Sequence, residues 1–154
     1  MKFKKIEFAR QTNFILALLL IHFVFFGYLS NVYAKNIGEG VLFLYQVLFH
    51  PRSFFASIIL ALIVFLMVFR EKFFEYGIRN SIWLIPFIIV QSWIWYWFVS
   101  ANFDISVIWG YFTRIESYIT ILVLLWINIL AAILAAVARE RYDIFIKRVK
   151  KIEV

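Results

Sequence analysis

Cysteine is absent, and histidine, proline, methionine and glycine are scarce, at two, two, two and five residues in 154. Without cysteine the chain has no disulfide, no thiol relay, no iron–sulfur cluster and no cysteine-type zinc site. The two histidines do not suit one haem: His22 falls in the middle of an apolar run and His50 at the surface end of the first loop. Axial ligands must lie at similar depth on opposite sides of one iron. No cofactor is expected. There is no HExxH, GxSxG or P-loop, and the GEG at Gly38 to Gly40 lacks the third glycine of a dinucleotide turn. No pair of embedded carboxylates points to an intramembrane protease, and no enzymatic activity is expected.

What the chain has in abundance is apolar surface. It is 65% hydrophobic and 21% aromatic, with mean hydropathy +0.90. That leaves too little polar surface to cover a water-soluble globule of this size. Charge is missing from four runs, Gln11 to Ala34, Ser53 to Phe69, Asn80 to Phe103 and Ser117 to Ala138. Each approaches the roughly 20 residues that cross a hydrocarbon core about 30 Å thick. The expectation is an all-α, polytopic membrane protein forming one domain over residues 1–154. Its four-transmembrane-helix bundle has helices at about 12–30, 53–69, 81–100 and 117–138, then an amphipathic tail at 139–154. The second run is the shortest and has no room to tilt unless residues before Arg52 contribute.

The net charge of +7 is distributed in a way that explains it. Counting along the chain, 13 Lys and Arg fall before helix 1, in the second loop and after helix 4, against 3 in the first and third loops. Acids divide 6 to 3, so one side carries the whole +7 and the other is neutral. This is the positive-inside pattern, with both termini cytoplasmic, expected in a prokaryotic plasma membrane. Nucleic acid is not an expected partner; anionic lipid is. The start MKFKKIEFAR, an apolar run and NVYA resemble a signal peptide. The segment is expected to be retained as the first helix.

Both outer loops carry short apolar segments, GVLFLYQVLFHP at Gly40 to Pro51 and ISVIWGYF between Asp104 and Arg114. They are too short to cross and too hydrophobic to lie free in water, which predicts interfacial or re-entrant helices. The same plan given twice admits a parallel internal repeat, but chance hairpin geometry is the favoured reading. No residue match joins the halves. On the inner side Gly77 is available to end the second helix. In the tail, Tyr142, Phe145, Val149 and Ile152 are spaced by 3, 4 and 3, with Arg141, Lys147, Arg148, Lys150 and Lys151 mostly elsewhere around the helix. The stripe is expected to dock on lipid or on a partner protein.

Candidate site residues are few. His22, Gln91 and Asn128 sit near the middle of helices 1, 3 and 4 at coincident depths, so a midplane polar cluster is expected, as interhelical glue or as a substrate path. Small residues recur every fourth position at Ser53, Ser57 and Ala61, and at Asn128, Ala132 and Ala136. Such faces let helix backbones approach closely. In QSWIWYWF, Trp95 and Trp97 near the outer boundary and Trp83 near the inner one are expected interfacial aromatics. Alternation at 93, 95 and 97 places neighbouring indoles about 200° apart, which disfavours one aromatic cage. The outer charges balance three to three and are read as interfacial pairing. The functional expectation is a non-catalytic structural or accessory subunit of a larger membrane complex, in contact with other membrane subunits and lipid. The alternatives are a small homo-oligomeric channel or transporter and, more weakly, an enzyme of lipid or quinone chemistry.

Overall fold

The computed structural model describes the backbone of residues 2–33, 43–49, 54–71 and 73–152, with side chains described over 11–32, 44–49, 54–71 and 73–149. Among the described residues every regular element is a helix. Helix α1 (Lys2–Leu20) passes into a π-helical segment (Ile21–Phe26) and then α2 (Gly27–Tyr33). Next come α3 (Phe43–Phe49), α4 (Phe54–Arg70), α5 (Phe74–Ser100), α6 (Ser106–Phe112) and α7 (Ile115–Ile152). Three stretches are long and apolar enough to cross a membrane, Gln11–Val32, Phe74–Ser100 and Ile115–Val149, the pattern of a membrane protein.

The count of four spans does not follow from these helices. Helix α4 is apolar but has 17 residues, a rise of about 26 Å at 1.5 Å per residue, less than the hydrocarbon thickness. Ser53, with Gly40, His50 and Pro51, lies outside the described residues. Helix α4 nevertheless belongs to the bundle, and its most extensive packing is with α7. Ala56, Leu60, Ile63, Val64, Met67 and Val68 line its buried face, a 4-3-1-3-1 spacing that holds one helical stripe. Ser57 and Ala61, a residue further round, are only half-buried.

Helix α5 starts at Phe74, seven residues before the expected Ser81. Gly77 lies inside its first turns instead of ending α4. Its missing side chain lets α5 approach α4: a Cβ there would stand 2.8 Å from Val68 Cγ1. Pro86 is also inside α5 and withholds an N–H from the ladder, which membrane helices tolerate when neighbours supply donors. The helix stops where Ala101 turns left-handed, at φ 52°. Asp104 then accepts hydrogen bonds from Ser106 N–H at 2.8 Å and Ser106 Oγ at 2.6 Å, which opens α6. The hydroxyl first and the amide second hold this carboxyl below its ordinary value.

Both loop segments contain a short helix. In α3, Leu44 and Val47 are buried and the helix packs on α7 and α4. In α6, Val107 and Tyr111 are buried while Trp109 is 75% exposed. The core between the long helices is apolar and aromatic, with Phe25, Phe26, Leu29, Leu60, Leu84, Ile88 and Leu124 almost fully enclosed.

Candidate functional site

The mid-helix polar residues form two separate nodes, because α5 supplies their partners at positions ten residues apart. At the first node Trp95 Nε1 donates to His22 Nδ1 at 3.3 Å, and Gln91 Nε2 donates to the Leu18 carbonyl at 3.3 Å. In the first bond the imidazole Nδ1 is the acceptor. His22 also meets the Phe23 ring edge-on, and Trp95 stacks on Phe26. The second node is Asn128, fully buried, whose Nδ2 donates to the Ser81 carbonyl at 2.8 Å. Ser81 and Gln91 are separated by ten residues of α5, about 15 Å of rise. His22 and Gln91 therefore share a depth, and Asn128 lies at another.

The first node coincides with the π-helical stretch. A π turn adds one residue to a helical turn and is rare except as such a bulge, frequently at functional sites. The segment IHFVFF contains neither glycine nor proline, so composition gives no notice of it. The second node shows glue of the ordinary kind, an amide bridging two helices. It sits on the carbonyl just before that of Ile82, whose helical donor Pro86 removes.

Three buried hydroxyls close on their own helices. Ser81 Oγ donates to the Ile78 carbonyl, Ser92 Oγ to that of Ile89 and Thr120 Oγ1 to that of Glu116. Such back-bonding satisfies each of the three within its own helix. Five buried atoms have no partner among the described residues: Gln91 Oε1, Trp93 Nε1, Tyr111 Oη, Ser117 Oγ and Asn128 Oδ1. Trp93 and Tyr111 touch edge to face at 5.6 Å, and burial pushes the Tyr111 phenol up to about 12.

The three indoles of QSWIWYWF have three different neighbourhoods. Trp93 meets Tyr111 and Phe112, Trp95 meets His22 and Phe26, and Trp97 donates to the Asp104 carbonyl at 3.0 Å beside Phe103. Trp83 is 59% exposed on the side of α5. Of the small residues, Ala132 is fully enclosed, joined by Ala131 and Ala135, and Ala136 is half-buried.

The chain matches no known protein family, curated protein or solved structure. Its own geometry is what remains. At the α4–α5 end, Arg139 Nη1 donates to the Phe69 carbonyl at 2.6 Å, capping α4, and its Nε meets Asp143 at 3.3 Å. Beside it a notch of about 350 Å³ is lined by Glu71, Phe74, Ala136, Arg139, Asp143 and Lys147, among others. Glu71 is only 5% exposed and accepts a long hydrogen bond from Asn13 Nδ2 at 3.4 Å. Among the described residues no group of three His, Asp or Glu is placed to hold a metal. Beyond the cap, Phe145 is 62% exposed and Tyr142 51%, with Tyr142 touching the Phe69 ring at 5.9 Å. Lys147 and Arg148 are exposed.

Sequence reasoning named His22, Gln91 and Asn128 without their partners. Trp95, Ser81 and the Leu18 carbonyl are fixed by how far α5 slides along α1 and α7, which no hydropathy pattern encodes. The two-node arrangement has an energetic signature. His22→Ala and Trp95→Phe should couple by about 0.5–1.5 kcal/mol in a double-mutant cycle, whereas Gln91→Leu and Asn128→Leu should add within about 0.5 kcal/mol. Unfolding in a denaturing-detergent titration reads both, and strong coupling of the second pair would contradict the separation.

Proposed function

We propose that the chain is a non-catalytic structural or accessory subunit of a larger membrane protein complex. In this reading α4 joins Gln11–Val32, α5 and α7 in crossing the bilayer, and the start of α1 and the end of α7 face the cytoplasm. The observation that carries it is the α7 extension. Tyr142, Phe145 and Val149 form an apolar stripe, exposed by 51%, 62% and 37%, where the helix runs on past the end of α4. Exposed apolar side chains beyond a membrane span call for a cover. Conduction through one chain is the less supported reading, since a path would cross a core packed with Phe25, Phe26, Leu84 and Leu124.

The test is the composition of the particle purified in mild detergent. Distinct membrane proteins should accompany the chain and be lost when Phe145 and Val149 become Asp. A pure homo-oligomer that conducts ions in planar bilayers, with conductance altered by Asn128→Ala, overturns the proposal in favour of a channel. Orientation is tested separately, because a chain without cysteine accepts single labels cleanly. A cysteine at Asn102 should react with an impermeant thiol reagent from outside the cell, and one at Glu75 should not. The reverse pattern inverts the topology.

A further inference from the structure

We infer that the cover on the α7 stripe is an amphipathic helix from another protein, apolar along its seam and acidic along the flank that faces Arg141 and Arg148. This rests on the subunit reading above and says what the partner must look like. The stripe is the continuation of the seam by which α7 packs in the bundle. Asn128, Ala131, Ala135, Ala138, Tyr142, Phe145 and Val149 follow one another at 3, 4, 3, 4, 3 and 4 residues, the a and d positions of a heptad. The first three are 0%, 4% and 0% exposed, covered by α4 and α5. Past the Phe69 carbonyl and Phe74 those helices have ended, and the same seam runs on exposed beyond the Tyr142–Phe69 ring contact.

A helix is the occupant that fits a seam of this period. Knobs at a and d enter holes on a facing helix, with a drift of only about 20° per heptad to be taken up by supercoiling. A lipid surface fits poorly. Helix α7 is continuous from Ile115 to Ile152 and contains no glycine or proline at which to bend into the membrane plane. Val149 thus stands about 15 Å beyond Arg139 along the axis, more than a Debye length of about 8 Å at physiological salt.

Charge separates a foreign helix from a second copy. Arg141 and Arg148 occupy successive g positions on one flank, both exposed. In a parallel pair of identical helices Arg148 would meet Glu153 of the other copy, but Arg141 would face Ile146, with no acid to receive it. A partner with Glu or Asp at its e positions gains both pairings.

The experiment places a nitroxide at Val149→Cys, or at Lys147→Cys on the other side of the helix, of the full chain in phosphatidylethanolamine–phosphatidylglycerol vesicles. The probe is a peptide of about three heptads with Leu at a and d and Glu at e and g, compared with its Lys twin. The Glu peptide should immobilise the label at 149 and leave that at 147 mobile, with affinity about tenfold weaker in Arg141→Glu/Arg148→Glu, a variant that should take the Lys twin instead. Equal response to both peptides overturns the inference. So does a label at 149 that, without peptide, collides with oxygen in lipid or broadens by contact with a second copy. Particle composition is read independently. A mixed particle that keeps its other chains in Arg141→Glu/Arg148→Glu overturns the acidic helix and leaves the subunit reading standing, whereas a pure homo-oligomer overturns both.

Discussion

Gly77→Ala should destabilise the chain by about 1–3 kcal/mol, although alanine is the better helix former by about 1 kcal/mol. The cause is the approach of α5 to α4. A Cβ at position 77 would lie 2.8 Å from Val68 Cγ1 and 3.5 Å from Val68 Cβ, against the 3.5–4.0 Å at which carbon atoms rest. Val68 cannot yield easily: it is 3% exposed, and a β-branched side chain in a helix has essentially one rotamer. The two helices must therefore separate, and leucine in place of glycine should cost more than alanine. The proposed cause has its own control. In a Val68→Ala background the offending methyl is gone, and Gly77→Ala should become neutral or stabilising. Denaturing-detergent titrations of the four variants decide it. The same cost in both backgrounds would show that something other than Val68 excludes the side chain.

Gly77 also marks where reading the sequence stops. The charge-free runs locate α5 and α7 because burial in lipid and burial in protein select the same residue types, and the tail's 3–4 spacing makes its stripe legible before any contact is known. What hydropathy does not contain is register. Whether a glycine near a turn ends one helix or admits another depends on which residue faces it, here Val68 across the α4–α5 turn. The trio of His22, Gln91 and Asn128 failed to gather for the same reason. The charge-free run centres the third span near Gln91, but α5 extends back to Phe74, and Ser81, not Gln91, arrives opposite Asn128. Helix α4 is ambiguous for a third reason: 17 residues fall at the margin of what spans a bilayer, and length alone does not decide such a case.

Register also decides which of two alanines tolerates growth. Ala132 and Ala136 belong to one small-residue series on α7, and the sequence treats them alike. Ala132 is 0% exposed, on the face that packs against α4 and α5. Leucine there adds three carbons where none fit, so Ala132→Leu should cost about 1–3 kcal/mol or force the helices apart. Ala136, one turn further on, borders the notch of about 350 Å³ that opens as α4 ends and α5 begins. A leucine at 136 has space to enter, with Val68 and Phe74 as apolar walls, and the change should stay within about 0.5 kcal/mol. Helix propensity separates alanine and leucine only slightly and equally at both sites, so the difference between the variants isolates packing. Unfolding midpoints of the two variants against the parent provide the measurement. If Ala136→Leu costs as much as Ala132→Leu, the notch is closed, and Glu71, Arg139 and Lys147 line packed protein instead of open space.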